Sequence, residues 1–165
     1  MRYYRLPLSA LLAACALLGQ RATADVMPSS DSTALVVPAA PTKFVNLPFL
    51  PRCMTGSIKQ GDPRVGPSVV LARIASGCVI PWHWHSANTR LIFLSGHGTH
   101  MMKGTNASTD VRAGDFIYLP ARHAHFFRCI STCMAYNISD RRDVVHWIDK
   151  NGRDITLKQA SGLRR

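Results

Sequence analysis

The chain has 165 residues and a formal net charge of +11, the size of one domain and enough to bury a core without help from metal or disulfides. Its lysines and arginines are scattered, with no run longer than two, which reads as a solvated basic surface and argues against a nucleic-acid partner. All nine acidic residues are aspartates, so any mechanism that needs a glutamate ligand or a glutamate base is excluded.

The first 24 residues read as a signal peptide. Arg2 and Arg5 make a basic start, residues 6–19 are mostly apolar but too short to span a bilayer, and Ala22-Thr23-Ala24 ends the stretch with small residues. The mature chain then begins at Asp25, is periplasmic or secreted, and carries no transmembrane segment. Loss of Arg2, Arg5 and Arg21 lowers the net charge from +11 to +8. Two other readings stay open. Leu12-Ala13-Ala14-Cys15 resembles a lipobox, which would anchor the chain through Cys15, and the apolar run could instead be a buried helix.

Residues 25–42 are rich in Pro, Ser and Ala and read as a linker or a loosely docked arm. A domain is expected over 43–155. Short apolar runs predict strands at 43–47, 53–59, 68–74, 79–84, 90–94, 99–102, 116–119, 125–130, 133–138 and 144–148. Turn residues divide them, among them Gly61-Asp62-Pro63, Gly66-Pro67, Ser76-Gly77, Ser95-Gly96 and Gly114-Asp115. Many short strands at such spacing predict an all-β jelly-roll barrel in one domain. The tail beyond Lys150 is polar and fits one helical turn or a last strand.

Beyond Cys15, four cysteines remain: Cys53, Cys78, Cys129 and Cys133. In an oxidising compartment they suggest disulfides, and four cysteines allow three pairings; four buried thiols are the alternative. Cys129 and Cys133 flank a three-residue stretch short enough for a hairpin loop, so a bond between them is expected. Cys53–Cys78 is then the remaining pair.

His83 and His85 stand two apart, beside Trp82 and Trp84. In a strand, residues i and i+2 share a face, so both imidazoles project together, a geometry that suits one metal ion. His125 lies in a second such stretch. His123 shares its face only if the strand starts before Pro120 lets it, so it is expected on a rim. His97, His100, Met101 and Met102 read as ordinary strand and loop residues, and His146 as packed or facing solvent. Trp82, Trp84, Phe93, Phe116, Tyr118, Phe126 and Phe127 can supply core and pocket wall. Arg73, Arg90, Arg112 and Arg122 read as surface residues, one of which could pair a substrate carboxylate at a pocket mouth.

The two histidine stretches resemble the paired motifs of the cupin superfamily. In the first, Gly77, His83, His85 and Gly96 keep the motif's spacing; in the second, Gly114, Pro120 and His125 do. The similarity runs from about Val45 to Ile155. It implies a double-stranded β-helix with a metal inside the barrel, held by His83, His85 and His125. Three positions depart from the pattern: Thr89 stands where the motif has its ligand glutamate, Arg122 where it has glycine, and Cys129 where it has asparagine. Three imidazoles can still hold a divalent ion, Fe, Mn, Ni or Zn, with open positions for a small-molecule ligand. The resemblance implies a metal-dependent dioxygenase acting on a small polar molecule. The lost carboxylate favours a non-catalytic cupin that binds a small molecule or the metal alone. A hydrolytic zinc site would lack an obvious general base. A homodimer is left open.

Overall fold

The computed structural model describes residues 34–40, 42–105 and 107–162. The expected signal peptide, its cleavage point and Cys15 lie outside the described residues. Residues 34–36 are exposed and lie outside any helix or strand, and they belong to a separate unit from the one that begins at Val37.

The second unit is nine strands and one short helix. In chain order these are β1 (Met54–Gly61), β2 (Ser68–Ile74), β3 (Val79–His85), β4 (Thr89–Met102), β5 (Ser108–Arg112), β6 (Phe116–Leu119), β7 (His125–Ser139), β8 (Val145–Ile148), β9 (Asp154–Ile155) and α1 (Leu157–Gly162). All pairings are antiparallel, and one path runs β1-β2-β7-β3-β8-β9. β4 lies off that path and pairs with β5, β6 and β7. β4 and β7 together form a long two-stranded ribbon, in register from Thr89↔Ser139 to Met102↔His125. β7 also pairs with β2 through its second half and with β3 through its first half. It is therefore the strand on which both halves of the barrel meet. The expected all-β jelly roll is the fold that forms.

The inward positions make one apolar cluster. Met54, Ile74, Ile80, Phe93, Val111, Phe127, Ala135 and Trp147 are all buried in it. Phe93 on β4 and Phe127 on β7 meet with ring centroids 5.4 Å apart at 43°, a tilted pair of the kind worth about 0.5–1.5 kcal/mol beyond the area it buries. Phe116 and Tyr118 do not join this core. They are 59% and 46% exposed, because β6 turns alternate residues outward and buries Leu119 instead.

Several expected boundaries shift. Residues 43–47 do not form a strand and contribute one bridge, Val45 to Gly56. The expected breaks at Ser95-Gly96 and at residues 131–132 do not end strands. β4 passes its break with irregular register between Phe93 and Gly98. Gly96 has φ 90, and a Cβ there would collide with the Thr132 carbonyl, so the glycine serves a bulge where a turn was expected. β7 passes its break by folding on itself. Cys129 and Cys133 are disulfide-bonded with their Cα atoms 6.2 Å apart, about half the ~13 Å that four steps of straight strand would span. Cys53 and Cys78, just ahead of β1 and β3, form the second disulfide. β5 gives little sequence signal, since Val111 is its one buried residue. The tail holds both a two-residue strand and a helical turn, with Ala160 buried.

Candidate metal centre

β3 carries the sequence VIPWHWH, and its alternation turns His83 and His85 inward. His83 lies opposite His125 on β7 and opposite Trp147 on β8. Residues directly opposite in an antiparallel pair share a face, so the three histidines converge. All three are buried, with 3–6% of their surface exposed. The ring centroids of His83 and His125 are 4.1 Å apart, those of His83 and His85 5.2 Å, and those of His85 and His125 5.3 Å. One nitrogen of each lies within 4.8 Å of those of the other two.

The outer nitrogens fix how the rings present themselves. His83 Nδ1–H donates to the Pro81 carbonyl at 2.7 Å, and His125 Nδ1–H to the His123 carbonyl at 3.1 Å. His85 Nδ1–H donates to Asp143 Oδ2 at 2.7 Å. With Nδ1 carrying the proton in each ring, the lone pair sits on Nε2, the arrangement that a metal-ligating histidine requires. Burial pushes His83 down to about 3, helped by the neighbouring His85. It also holds His125 well below the ordinary histidine value, with His83 and His85 adding to the effect. Both rings therefore stay neutral and unprotonated on Nε2 at neutral pH. This donor set fits a divalent ion.

Asp143 is the residue that the sequence did not single out. It sits in the loop between β7 and β8, and its carboxylate accepts from His85, from the Ser139 hydroxyl at 3.3 Å and from the Ala87 backbone N–H at 3.4 Å. Burial works to raise its pKa, but these hydrogen bonds, His85 first, bring it below the ordinary carboxyl value. An ionised carboxylate thus stands behind one imidazole, 58 positions away in sequence.

His100 is the other omission. It was expected among ordinary strand residues, yet it is 4% exposed and lines the same cavity. Its ring lies 5.4 Å from that of His125, and its Nε2 has no hydrogen-bond partner. Burial pushes its pKa down to about 4, with His123 contributing. The bulges in β4 explain why it was missed. Thr89 and Phe93 face inward at odd positions, but past the register shifts the inward positions are even: Gly98 and His100.

The remaining candidates lie elsewhere. His97 is half-exposed, its Nε2 3.5 Å from the Asp110 carboxylate. His146 stacks on Trp84, with ring centroids 3.7 Å apart. None of Arg73, Arg90, Arg112 and Arg122 lines the cavity. Arg122 instead holds φ 64, and its guanidinium lies over the Trp84 ring. Thr89 is fully buried, and its hydroxyl donates weakly to the Ala87 carbonyl at 3.4 Å. The cavity itself is about 70 Å³. Its polar side chains are the four histidines, Asn137 and the Trp147 indole; Leu91, Phe93 and Phe127 are among its apolar walls.

No curated protein matches this chain in sequence. Residues 70–139 match the family model of the cupin domain. Among solved structures, an RmlC-like cupin protein from Ralstonia eutropha JMP134 aligns with a TM-score of 0.59 at 14% identity, over 79% of this chain and 86% of that one. An RmlC-like cupin from Shewanella frigidimarina NCIMB 400 aligns with a TM-score of 0.55 at 14% identity, over 67% and 94%. A cupin-like protein from Thermotoga maritima MSB8 aligns with a TM-score of 0.51 at 16% identity, over 66% and 83%. At these identities the structures speak for the fold alone. Residues 70–139 are thus a cupin domain, and the fold of the described residues is the one that these cupin structures share.

Proposed function

We propose that the chain is an exported cupin in which His83, His85 and His125 hold one divalent ion through Nε2 and present it to a small molecule. The observation that carries this reading is the set of three buried imidazoles whose Nδ1–H groups are all engaged by Pro81, Asp143 and His123. Imidazole donors suit Fe, Ni or Zn, and Mn remains a candidate by availability. When bound, the ion supplies a Lewis acid or a redox centre of the dioxygenase kind. The protein orients its three ligands, excludes water with Phe93, Phe127 and Trp147, and holds a carboxylate behind His85. Among the described residues no carboxylate lines the cavity, so the general base they offer there is imidazole.

A second reading rests on Thr89. A threonine hydroxyl is a poor ligand, so the site loses one charged donor, which favours binding without turnover. Elemental analysis of the exported protein, followed by oxygen uptake with added Fe(II) and small organic acids, separates the two. Metal-dependent uptake supports the dioxygenase; a loaded but inert protein supports the binder. Absence of any metal affinity would reject both. Thr89→Glu is expected to raise metal affinity by roughly tenfold, about 1.4 kcal/mol, read by chelator competition, while His97→Ala leaves it unchanged and His83→Ala abolishes it.

Export is supported by the two disulfides, which persist in oxidising compartments. Among the described residues no helix is long and apolar enough to cross a membrane. N-terminal sequencing of the exported chain should find Asp25 first; a lipid on Cys15 would replace that reading with an anchored protein.

A further inference from the structure

A divalent ion at the three histidines would be under-neutralised. Among the described residues Asp143 is the one carboxylate that touches the cluster, and it does so from behind His85. Thr89 brings no charge, and no aspartate lines the cavity. One positive charge would then face walls of Leu91, Phe93, Phe127 and Trp147, and a charge buried without a partner is costly.

A second observation points to what answers it. His100 lines the same cavity, is 4% exposed and leaves Nε2 without a partner. A buried ring nitrogen without a hydrogen bond marks a place where something else bonds. His100 stands to one side of the cluster, near His125 but outside the set of three converging nitrogens. Asn137, whose Oδ1 accepts from Ser139 at 3.5 Å, also lines the cavity.

We infer that the pocket takes a small carboxylate as its ligand, one oxygen toward the ion and the other accepting a hydrogen bond from His100 Nε2–H. This rests on the metal reading above and names the chemistry of what binds there. A two-oxygen anion is favoured over a halide, because its acceptors are separated, as the three-histidine point and His100 are. Its size is bounded by the cavity of about 70 Å³, against the ~10–15 Å³ at which such a cavity admits one water, so a small acid has room.

The test uses the full mature chain loaded with Co(II), whose visible bands report its coordination, titrated with formate at fixed pH and ionic strength. Formate is expected to shift the bands saturably, and chloride to do so more weakly. His100→Phe keeps the ring volume and removes the donor. It should hold Co(II) within about twofold of wild type and bind formate about tenfold more weakly, the loss expected for one buried hydrogen bond. His100→Gln, which retains an N–H donor, should recover most of that affinity. If phenylalanine does not fit, His100→Met carries the same comparison. Co(II) binding with no formate response, or an equal response in the donor-free variant, overturns the carboxylate and leaves the metal centre standing. Loss of Co(II) in the donor-free variant makes His100 a ligand and also overturns it. Failure of the wild type to bind Co(II) sinks the metal reading and this one together.

Discussion

Asp143 is a small residue with a large share in the site. It fixes the tautomer and the orientation of His85 through one 2.7 Å hydrogen bond, and partners of this kind commonly contribute 10–100-fold to metal affinity. Asp143→Asn keeps the shape and loses the charge. It is expected to weaken Zn(II) or Co(II) binding by roughly tenfold or more, measured by chelator competition, with the fold unchanged by circular dichroism. Arg122 shows a different economy. At φ 64 it adopts the left-handed conformation, where the family motif has glycine. Its side chain over Trp84 offsets some of the strain. Comparing Arg122→Gly with Arg122→Ala removes that contact from both, and the glycine variant should be about 1 kcal/mol more stable in urea unfolding. That His83 and His85 share a face was legible from their spacing of two, and the cupin resemblance added His125. His100 was not legible, because three irregularities in β4 reverse the parity of its face, and bulges leave no mark in composition.

At the scale of elements, the strands with strong alternation were legible and the junctions were not. β2 and β6 match their expected limits, 68–74 and 116–119. The long ribbon of β4 and β7 was expected as four strands, since Ser95-Gly96 and the segment after Cys129 look like turns. In the structure cross-strand pairing continues through both. The disulfides act on this scale. Cys53–Cys78 closes a loop with a sequence separation of 25, and Cys129–Cys133 one of 4. By chain entropy the first is worth about 3.5 kcal/mol and the second about 2. Cys53→Ala with Cys78→Ala should therefore lower the urea midpoint more than Cys129→Ala with Cys133→Ala. Equal effects would mean that the short bridge supports the bend of β7 beyond its entropic share.

At the scale of the molecule, the buried imidazoles tie stability to pH. Burial holds His83 at about 3 and His100 at about 4 in the folded chain, and His125 well below ordinary histidine. The unfolded chain takes up protons on all three from about pH 6.5 downward. Between that value and about 4 the unfolded state binds more protons, so metal-free protein loses stability as pH falls. The limit is about 1.4 kcal/mol per pH unit for each histidine. Urea midpoints should be clearly lower at pH 5 than at pH 7, and bound Zn(II) should raise the midpoint at both pH values while leaving that difference in place, because burial already keeps His83 and His125 unprotonated in the metal-free folded chain. A midpoint unchanged between pH 7 and pH 5 would contradict the burial of these rings.

The bond between His85 and Asp143 joins residues 58 apart in sequence, and Asp143 N–H also reaches back to the Pro63 carbonyl at 2.8 Å. Such closures come late on a folding pathway, because the chain must first give up the entropy of a long loop. The histidines of β3 emerge well before the strand and loop that aim them. A chain cut before Asp143 would carry all three imidazoles yet leave His85 Nδ1–H without its acceptor. Assembly of the centre is therefore a report on completed folding, and metal uptake during refolding should lag behind the formation of β-structure seen by far-ultraviolet dichroism.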